Sequence, residues 1–221
     1  MEPLAGINNK DKKDLNVNLP DFVTAATETM LQQVGEGMRK RNIEVVIVNK
    51  GEEARDEVLE RIPKGAQVHS GKSKTLQDSG IFDAIMDQNQ YDALRHQIQK
   101  MDRKTQGSEI RKLLAAPDIM LGSVNAITVA GILVAASATA SQIGPYANTA
   151  GKVILVVGSQ KIVPDLETAF QRIREYVQPW EEAQLQKAAN IGTFIGKILI
   201  VEREWVTGRM TVVLVREPIG I

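Results

Sequence analysis

Runs of almost uninterrupted apolar, largely β-branched residues constrain the fold of this chain more than any other feature. The clearest are IEVVIV (43–48), KVILVVGS (152–159) and MTVVLVREP (210–218). A strand that buries one face alternates apolar and polar residues, whereas a run without alternation is typical of a strand buried on both faces. Such strands occur in sheets that carry helices on both sides. The runs therefore predict an α/β fold around a mainly parallel open sheet.

The segments between these runs carry helical or shorter strand patterns. A helix is predicted over 21–41, where apolar residues recur every four positions; they are Phe22, Ala26, Met30, Val34 and Met38. Further helices are predicted over 52–62 and from Pro164 to about 177, and further strands over 66–70, 118–123 and 132–137. Strands and helices thus alternate, as in a Rossmann-like sheet.

The end of the chain shows a different spacing. GKILIVERE (196–204) and MTVVLVREP (210–218) are separated by only WVTGR (205–209). So short a connection with a glycine predicts a C-terminal antiparallel hairpin. Residues 1–19 are polar and predict a flexible tail, which leaves 20–221 as a single α/β domain. The polar segment 87–108 fits either a flap or an ordinary surface helix.

Composition excludes several classes of function. Lys and Arg (27) balance Asp and Glu (27), so there is no broad basic field for nucleic acid. The chain has no cysteine and only two histidines, which excludes a thiolate-bound metal or iron–sulfur cluster on this chain. No cofactor bound by this chain is expected. No signal peptide or membrane span is apparent, and a cytoplasmic location is expected.

The first candidate site is the turn SGKSKT (70–75), between a predicted strand and a predicted helix. Gly71 lets the backbone approach an anion, Lys72 adds charge, and Ser73 and Thr75 add hydroxyl donors. In open α/β sheets, ligands gather beyond the carboxyl ends of the strands. The alternative is that Ser73 only caps the helix and Gly71 only makes the turn.

Two further candidates also follow predicted strands. Ser123 and Asn125 come after the strand 118–123, although Asn125 could equally form a turn between two core strands. Gly158 and Lys161 come after the strand 152–159, where Lys161 either pairs with an anionic ligand or is an exposed loop lysine. Because carboxyl ends of parallel strands meet at one edge, these groups are expected to line one pocket with the turn 70–75.

Motifs of known catalytic chemistry are absent from the sequence. No serine lies in a G-x-S-x-G context, and His69 and His96 have no evident triad partner, so nucleophilic serine chemistry is not expected. His69 is interpreted as a packing or hydrogen-bonding residue at a strand end rather than as a general base. Catalytic residues stay unassigned.

At these segments the sequence resembles the LUD-domain family, which includes lactate utilisation protein C. The resemblance runs from about Asn42 to the C-terminus. Its landmarks are GKSKTLQDSGIFDAI (71–85), MLGSVNAIT (120–128), GILVAAS (131–137), VVGSQKIVPDLETAFQRIREYVQPWEEA (156–183) and TVVLVREPIGI (211–221). It implies a fold of the sugar isomerase, ribose-5-phosphate isomerase and CoA-transferase type, whose members bind anionic substrates above the sheet. The turn 71–75 then matches a loop suited to phosphate or carboxylate.

The sequence also departs from the family pattern. Lys72 replaces a glycine found in many relatives, and TVAG (128–131) lacks the acid that many carry there. QKAANIGTFIGK (186–197) lacks the cysteine cluster of some relatives. SATASQIGPYA (137–147) looks like one branch of the family, in which Ser141 and Gln142 would lie at the pocket edge.

Three hypotheses for function follow from the resemblance. The first is a subunit or accessory factor in the oxidation of L-lactate to pyruvate, which binds a small anionic metabolite while iron–sulfur subunits supply the redox chemistry. The second is an isomerase-fold enzyme or sensor for a small phosphorylated or carboxylated metabolite. The third is a non-catalytic interaction protein. No nucleic acid or membrane partner is expected, and a homo-oligomer stays open because the helix 21–41 could pack on a second subunit.

Overall fold

The computed structural model describes residues 20–71, 73–87 and 90–221, in which strands and helices alternate. The predicted tail over 1–19 lies outside the described residues. The strands are β1 (Glu44–Val48), β2 (Gln67–Ser70), β3 (Asp92–Ala93), β4 (Ile119–Gly122), β5 (Ala126–Thr128), β6 (Leu133–Ser137), β7 (Lys152–Gly158), β8 (Ile162–Val163), β9 (Lys197–Val201) and β10 (Met210–Val215). The helices are α1 (Glu28–Lys40), α2 (Gly51–Glu60), α3 (Lys74–Asp78), α4 (Ile81–Ile85), α5 (Leu94–Gln99), α6 (Gly107–Ala115), α7 (Leu166–Gln171) and α8 (Gln178–Ala189).

The larger of the two sheets has six strands in the order β1-β10-β7-β4-β2-β3, and every neighbouring pair in it is parallel. The smaller sheet has the order β8-β5-β6-β9 and is mixed, since β5/β8 is parallel while β5/β6 and β6/β9 are antiparallel. The prediction of a Rossmann-like, mainly parallel α/β fold is therefore confirmed.

Burial on both faces accounts for the apolar runs of β7 and β10, whereas β1 lies at the end of the six-stranded order and is only partly buried, unlike the prediction for 43–48. In β10, Val212 and Leu214 pack into the core that α1 covers, while Val213 and Val215 pack into the opposite core beneath α2. Every residue of β10 is buried, and its one polar side chain, Thr211, donates its hydroxyl to Glu44 Oε2 at 3.1 Å.

The predicted C-terminal hairpin is wrong. β9 joins the smaller sheet and pairs antiparallel with β6, whereas β10 lies between β1 and β7 in the larger sheet and is parallel to both. The connection over 205–209 passes from one sheet to the other. The physical reason is that β10 is apolar on both faces and needs a central position, while β9 is only partly buried and exposes Lys197 and Ile200.

The predicted helix over 21–41 begins later than expected. α1 starts at Glu28 because Thr27 caps it, its side chain accepting a hydrogen bond from the Met30 backbone N–H. Phe22 therefore lies before the helix, where its ring is 5.9 Å from that of Tyr176. The buried stripe of α1 is Leu31, Val34, Gly35 and Met38.

The polar segment 87–108 contains β3 and α5, and α5 buries Leu94 and Ile98. Gln88 and Asn89 lie outside the described residues. None of the helices that the structure describes is both long and apolar enough to pass through a bilayer.

Strand order creates a switch point between β2 and β4 at the carboxyl edge of the larger sheet. After β2 the chain continues to β3 on one side, whereas after β4 it continues within this sheet to β7 on the other side. At such a switch point the two connections diverge and leave an opening above the strands. The residues that follow β2 and β4 there are Gly71 and Ser123.

Candidate functional site

A buried lysine joins three chain segments at this carboxyl edge. Lys161 ends the short 3₁₀ turn that follows β7, and its Nζ donates to Thr75 Oγ1 at 2.9 Å. The same Nζ donates to Ser123 Oγ at 3.0 Å and contacts the Val124 carbonyl oxygen at 3.4 Å. The structure thus brings Thr75, Ser123 and Lys161, each predicted from a different strand end, within hydrogen-bonding distance of one another.

The surroundings of Lys161 disfavour its positive charge. Its side chain is 2% exposed. Burial, and then the nearby Arg172 guanidinium, lower the pKa of Lys161 from 10.5 to about 7, and the more weakly coupled Asp78 acts in the opposite direction. Both hydroxyl partners of Lys161 are neutral. Within the described part of the chain, no carboxylate forms an ion pair with this ammonium.

A second buried cation lies next to the first. Arg172 is fully buried, and its Nη1 donates to the Asn125 carbonyl oxygen at 2.5 Å. Its guanidinium carbon is 5.3 Å from the centre of the Tyr176 ring and 5.9 Å from that of Phe22. Among the residues that the structure describes, none is hydrogen-bonded to its Nε or Nη2. Burial lowers the pKa of Arg172 to about 10, which still leaves it charged at neutral pH.

The two cations hold consecutive carbonyl oxygens, since Lys161 contacts Val124 and Arg172 contacts Asn125. The segment that leaves β4 is therefore fixed between two positive charges. Its Ser123 is only partly buried, unlike Thr75 and Lys161, so Ser123 is the member of the cluster that solvent reaches.

A buried tyrosine supports the same segment from the other side. Tyr146 lies in the π-helical turn Pro145–Thr149 and donates its hydroxyl to the Ser123 carbonyl oxygen at 3.3 Å. Burial raises the pKa of Tyr146, so this hydroxyl keeps its proton. Arg209 anchors the turn by donating to the carbonyl oxygens of Pro145 and Tyr146 at 3.0 and 3.1 Å.

The segment that follows β10 covers the cluster. The Gln160 side-chain amide donates to the Ile219 carbonyl oxygen at 2.9 Å and accepts from its N–H at 3.3 Å. Gly220 then lies against Thr75, where an added Cβ would be 2.1 Å from Oγ1. Gly158 packs against the same C-terminal segment, since a Cβ added to Gly158 would lie 2.6 Å from the Ile219 backbone nitrogen. The predicted site residue Gly158 is thus covered by the chain itself.

The turn after β2 divides into structural and open positions. Ser73 caps α3, accepting a hydrogen bond from the Leu76 N–H, as the capping alternative proposed. Gly71 is partly exposed, and a Cβ there would lie 4.0 Å from the Gln142 Cβ. Lys72 lies outside the described residues.

The remaining predicted residues lie around the cluster without joining it. Gln142 Oε1 accepts from Ser137 and Ser141 at 3.2 Å each, and Ser141 is exposed. Asn125 Oδ1 accepts from the Ala136 N–H at 2.6 Å, so its side chain ties β6 to the segment before β5. Gln142 thus stands beside Gly71 and is hydrogen-bonded to Ser141, while the Asn125 side chain has a structural bond.

His69 is a buried residue on β2, and its two ring nitrogens have no hydrogen-bond partner within the described part of the chain. Burial, and secondly the charge of Arg95, lower its pKa to about 4, so the ring is neutral at pH 7. Arg95 donates to the Ser70 carbonyl oxygen at 3.4 Å and lies over the Phe82 ring. Of the two interpretations of His69, packing agrees with this setting and hydrogen bonding to a described residue does not.

Other parts of the described surface offer less. Cavities of about 240 and 400 Å³ lie at the amino edge of the larger sheet, and Arg41 and Arg203 in the smaller one already bind backbone carbonyl oxygens. Within the described ranges, no group of three His, Asp or Glu side chains could hold a metal ion. The Lys161 cluster is therefore the candidate site.

The architecture defines an α/β protein with a polar centre at the switch point of its parallel sheet. The LUD domain family model matches residues 31–215, and the chain belongs to that family, which is associated with lactate utilisation. A DUF162 family protein from Deinococcus radiodurans has a similar fold, with a TM-score of 0.53 over 87% of this chain and 99% of that one, at 10% identity. No curated protein matches this chain.

Sequence patterns did not identify every member of the site. Arg172 lies in a charged helical stretch, where an exposed side chain is the ordinary expectation, and only the flanking aromatic Tyr176 hinted otherwise. Tyr146 falls in the segment 137–147 that resembles one family branch, but nothing in the pattern specified its bond to Ser123. The role of Gly220 depends on the tertiary path of the chain and has no local signal.

Proposed function

We propose that this protein binds a small anionic metabolite, a carboxylate or phosphate, at the carboxyl edge of its parallel sheet and serves in the oxidation of L-lactate to pyruvate. The observation that carries the proposal is the pair of buried cations, Lys161 and Arg172, which no carboxylate of the described residues neutralises. Buried charges are costly unless they are paired, so an anion from solvent would relieve the cost.

Ser123 gives such an anion a place to bind. Its Oγ accepts from Lys161, and its own proton has only a long 3.4 Å contact with the Val124 carbonyl oxygen. An anionic oxygen would receive a stronger hydrogen bond from that hydroxyl, which the ammonium behind it polarises. The unpartnered Nε and Nη2 of Arg172 are two further buried donors near the same segment.

The place of the protein in lactate oxidation rests on the family and on composition. The chain has no cysteine, so it cannot itself hold a thiolate-ligated iron–sulfur cluster. We infer that iron–sulfur subunits supply the electron carriers and that this chain contributes the site for the anionic substrate or product. An isomerase-fold enzyme or sensor would use the same anion site, and turnover of a sugar phosphate by the isolated protein would favour it.

Replacing Lys161 by methionine should weaken anion binding by on the order of 1–3 kcal/mol, the usual effect of losing a charged hydrogen-bond donor. The measurement is calorimetric titration with lactate, pyruvate, inorganic phosphate and a sugar phosphate at pH 6 and pH 8. The wild-type affinity should fall by up to about tenfold per pH unit above pH 7, because Lys161 loses its charge there.

Ser73→Ala is the matched control, since Ser73 caps α3 in the same turn but takes no part in the cluster. It should lower stability by about 1 kcal/mol and leave the affinity unchanged. If an anion binds and Lys161→Met binds it as tightly as the wild type at pH 6, the site lies elsewhere and the proposal fails.

A further inference from the structure

We propose that Ser123 is a nucleophile toward activated acyl groups, such as esters and thioesters, and that Lys161 is the base that accepts its proton. This activity goes beyond anion binding and uses the same edge of the sheet. It also reverses the expectation, drawn from the missing G-x-S-x-G motif, that nucleophilic serine chemistry is absent.

The distance between the two residues fits that role. Ser123 Oγ is 3.0 Å from Lys161 Nζ, within the range over which a base removes a proton from a nucleophile. Thr75 Oγ1 is 2.9 Å from the same Nζ and acts as the third group that orients the base. Thr75 lies in the first turn of α3, Ser123 follows β4, and Lys161 ends the 3₁₀ turn after β7, so no continuous motif marks the three residues.

The nucleophile and the base differ in burial, as their roles require. Ser123 is partly exposed and can meet a substrate from solvent, whereas Lys161 and Thr75 lie behind it at 2% and 1% exposure. A lysine used as a base must lose its proton near neutral pH, and burial favours the neutral amine. Its charged neighbours are Arg172, which also favours the neutral form, and the more weakly coupled Asp78, which opposes it.

The reaction balances with the substrate and water alone. Ser123 Oγ forms a bond to the carbonyl carbon while its proton moves to Lys161 Nζ, and the carbonyl π electrons move to oxygen. When the tetrahedral intermediate collapses, the bond to the alkoxide or thiolate breaks, and that leaving group takes the proton from Nζ. Water then attacks the acyl-serine while its proton moves to Lys161 Nζ, Ser123 Oγ leaves and takes that proton back, and the carboxylic acid released loses its own proton to solvent to become the carboxylate.

The test is labelling of the folded, full-length protein with a fluorophosphonate probe, with the modified residue located by mass spectrometry. We expect the label on Ser123, at a rate that rises through about pH 7 as Lys161 becomes neutral. Lys161→Met should reduce the rate by at least tenfold. Ser108→Ala, which changes an exposed serine on α6, should leave it unchanged.

Absence of label on Ser123 in the wild type at pH 8 would overturn the proposal, and so would an equal rate in Lys161→Met. The wild-type pH profile keeps the test valid even if that variant folds poorly, because a rate that does not change between pH 6 and pH 8 also contradicts it. Anion titration separates the two proposals. If Ser123 is not labelled but anion binding still depends on Lys161, the proposal that Ser123 is a nucleophile is rejected and the proposed anion site stands.

Discussion

Replacing Gly122 by alanine should destabilise the protein by roughly 1–3 kcal/mol or more, the usual cost of forcing an extra group into a packed core. A Cβ at this last residue of β4 would lie 1.7 Å from the Tyr146 hydroxyl oxygen and 2.8 Å from the ring carbon that bears it. Tyr146 is buried and cannot move away without leaving the Ser123 carbonyl oxygen. Thermal and urea unfolding would measure the loss.

Gly71→Ala is the matched control at the same edge of the sheet. Its Cβ would meet Gln142 and Met120 only at 4.0 Å, an ordinary contact distance, and its backbone is outside the left-handed region. It should leave stability within about 0.5 kcal/mol of the wild type. Tyr146→Phe should restore part of the stability lost in Gly122→Ala. Equal stability of the two glycine variants would contradict the packing described for Tyr146.

The free energy of unfolding should rise with pH between about 7 and 9.5, by up to about 1.4 kcal/mol per unit from Lys161 alone. In the unfolded chain Lys161 titrates near 10.5, whereas in the folded protein it titrates near 7. Between these values the unfolded state binds one proton more, so raising the pH favours the folded state. Below pH 7 both states hold the proton and this contribution stops changing.

Urea unfolding of the wild type and of Lys161→Met should be measured over this pH range. The difference between their free energies of unfolding gives the contribution of Lys161. The methionine variant should lack the rise and should be the more stable protein at pH 6, because a buried charge has been removed. Lys152→Met, at the exposed first residue of β7, is the control and should keep the wild-type slope. Parallel curves for wild type and Lys161→Met would show that Lys161 titrates normally.

Much of the fold could be predicted because local pattern and tertiary position agree. The runs 43–48, 152–159 and 210–218 lack polar alternation, and the structure places β1, β7 and β10 side by side in the parallel sheet. The same argument grouped Thr75, Ser123 and Lys161, since each follows a parallel strand. If the strands are parallel, the residues that follow them lie at the same edge of the sheet, whatever the order of the strands.

The predicted C-terminal hairpin was wrong because the pairing of a strand depends on which other strands it packs beside in the fold. The connection 205–209 is as short as a hairpin loop, but pairing is decided by burial, and β10 has two apolar faces to cover. The start of α1 was misplaced because a four-residue spacing continued by chance to Phe22, while the Thr27 cap sets the true boundary.

Details of the site were beyond sequence reasoning for a similar reason. Arg172 resembles any surface arginine in its local sequence, but the fold buries it beside the rings of Phe22 and Tyr176. The close approaches of Gly122 to Tyr146 and of Gly220 to Thr75 join residues far apart in sequence. Such contacts follow from packing and not from local pattern.

The most direct test of the central claim is the titration of Lys161 followed by NMR of its side-chain ¹³Cε, assigned by comparison with Lys161→Met. We expect a midpoint near pH 7 in the free protein, because the ammonium is buried beside Arg172 and no carboxylate of the described residues forms an ion pair with it. Saturation with a bound anion should move that midpoint upward, since the anion stabilises the charged form. A midpoint near 10.5 that no anion shifts would contradict the account.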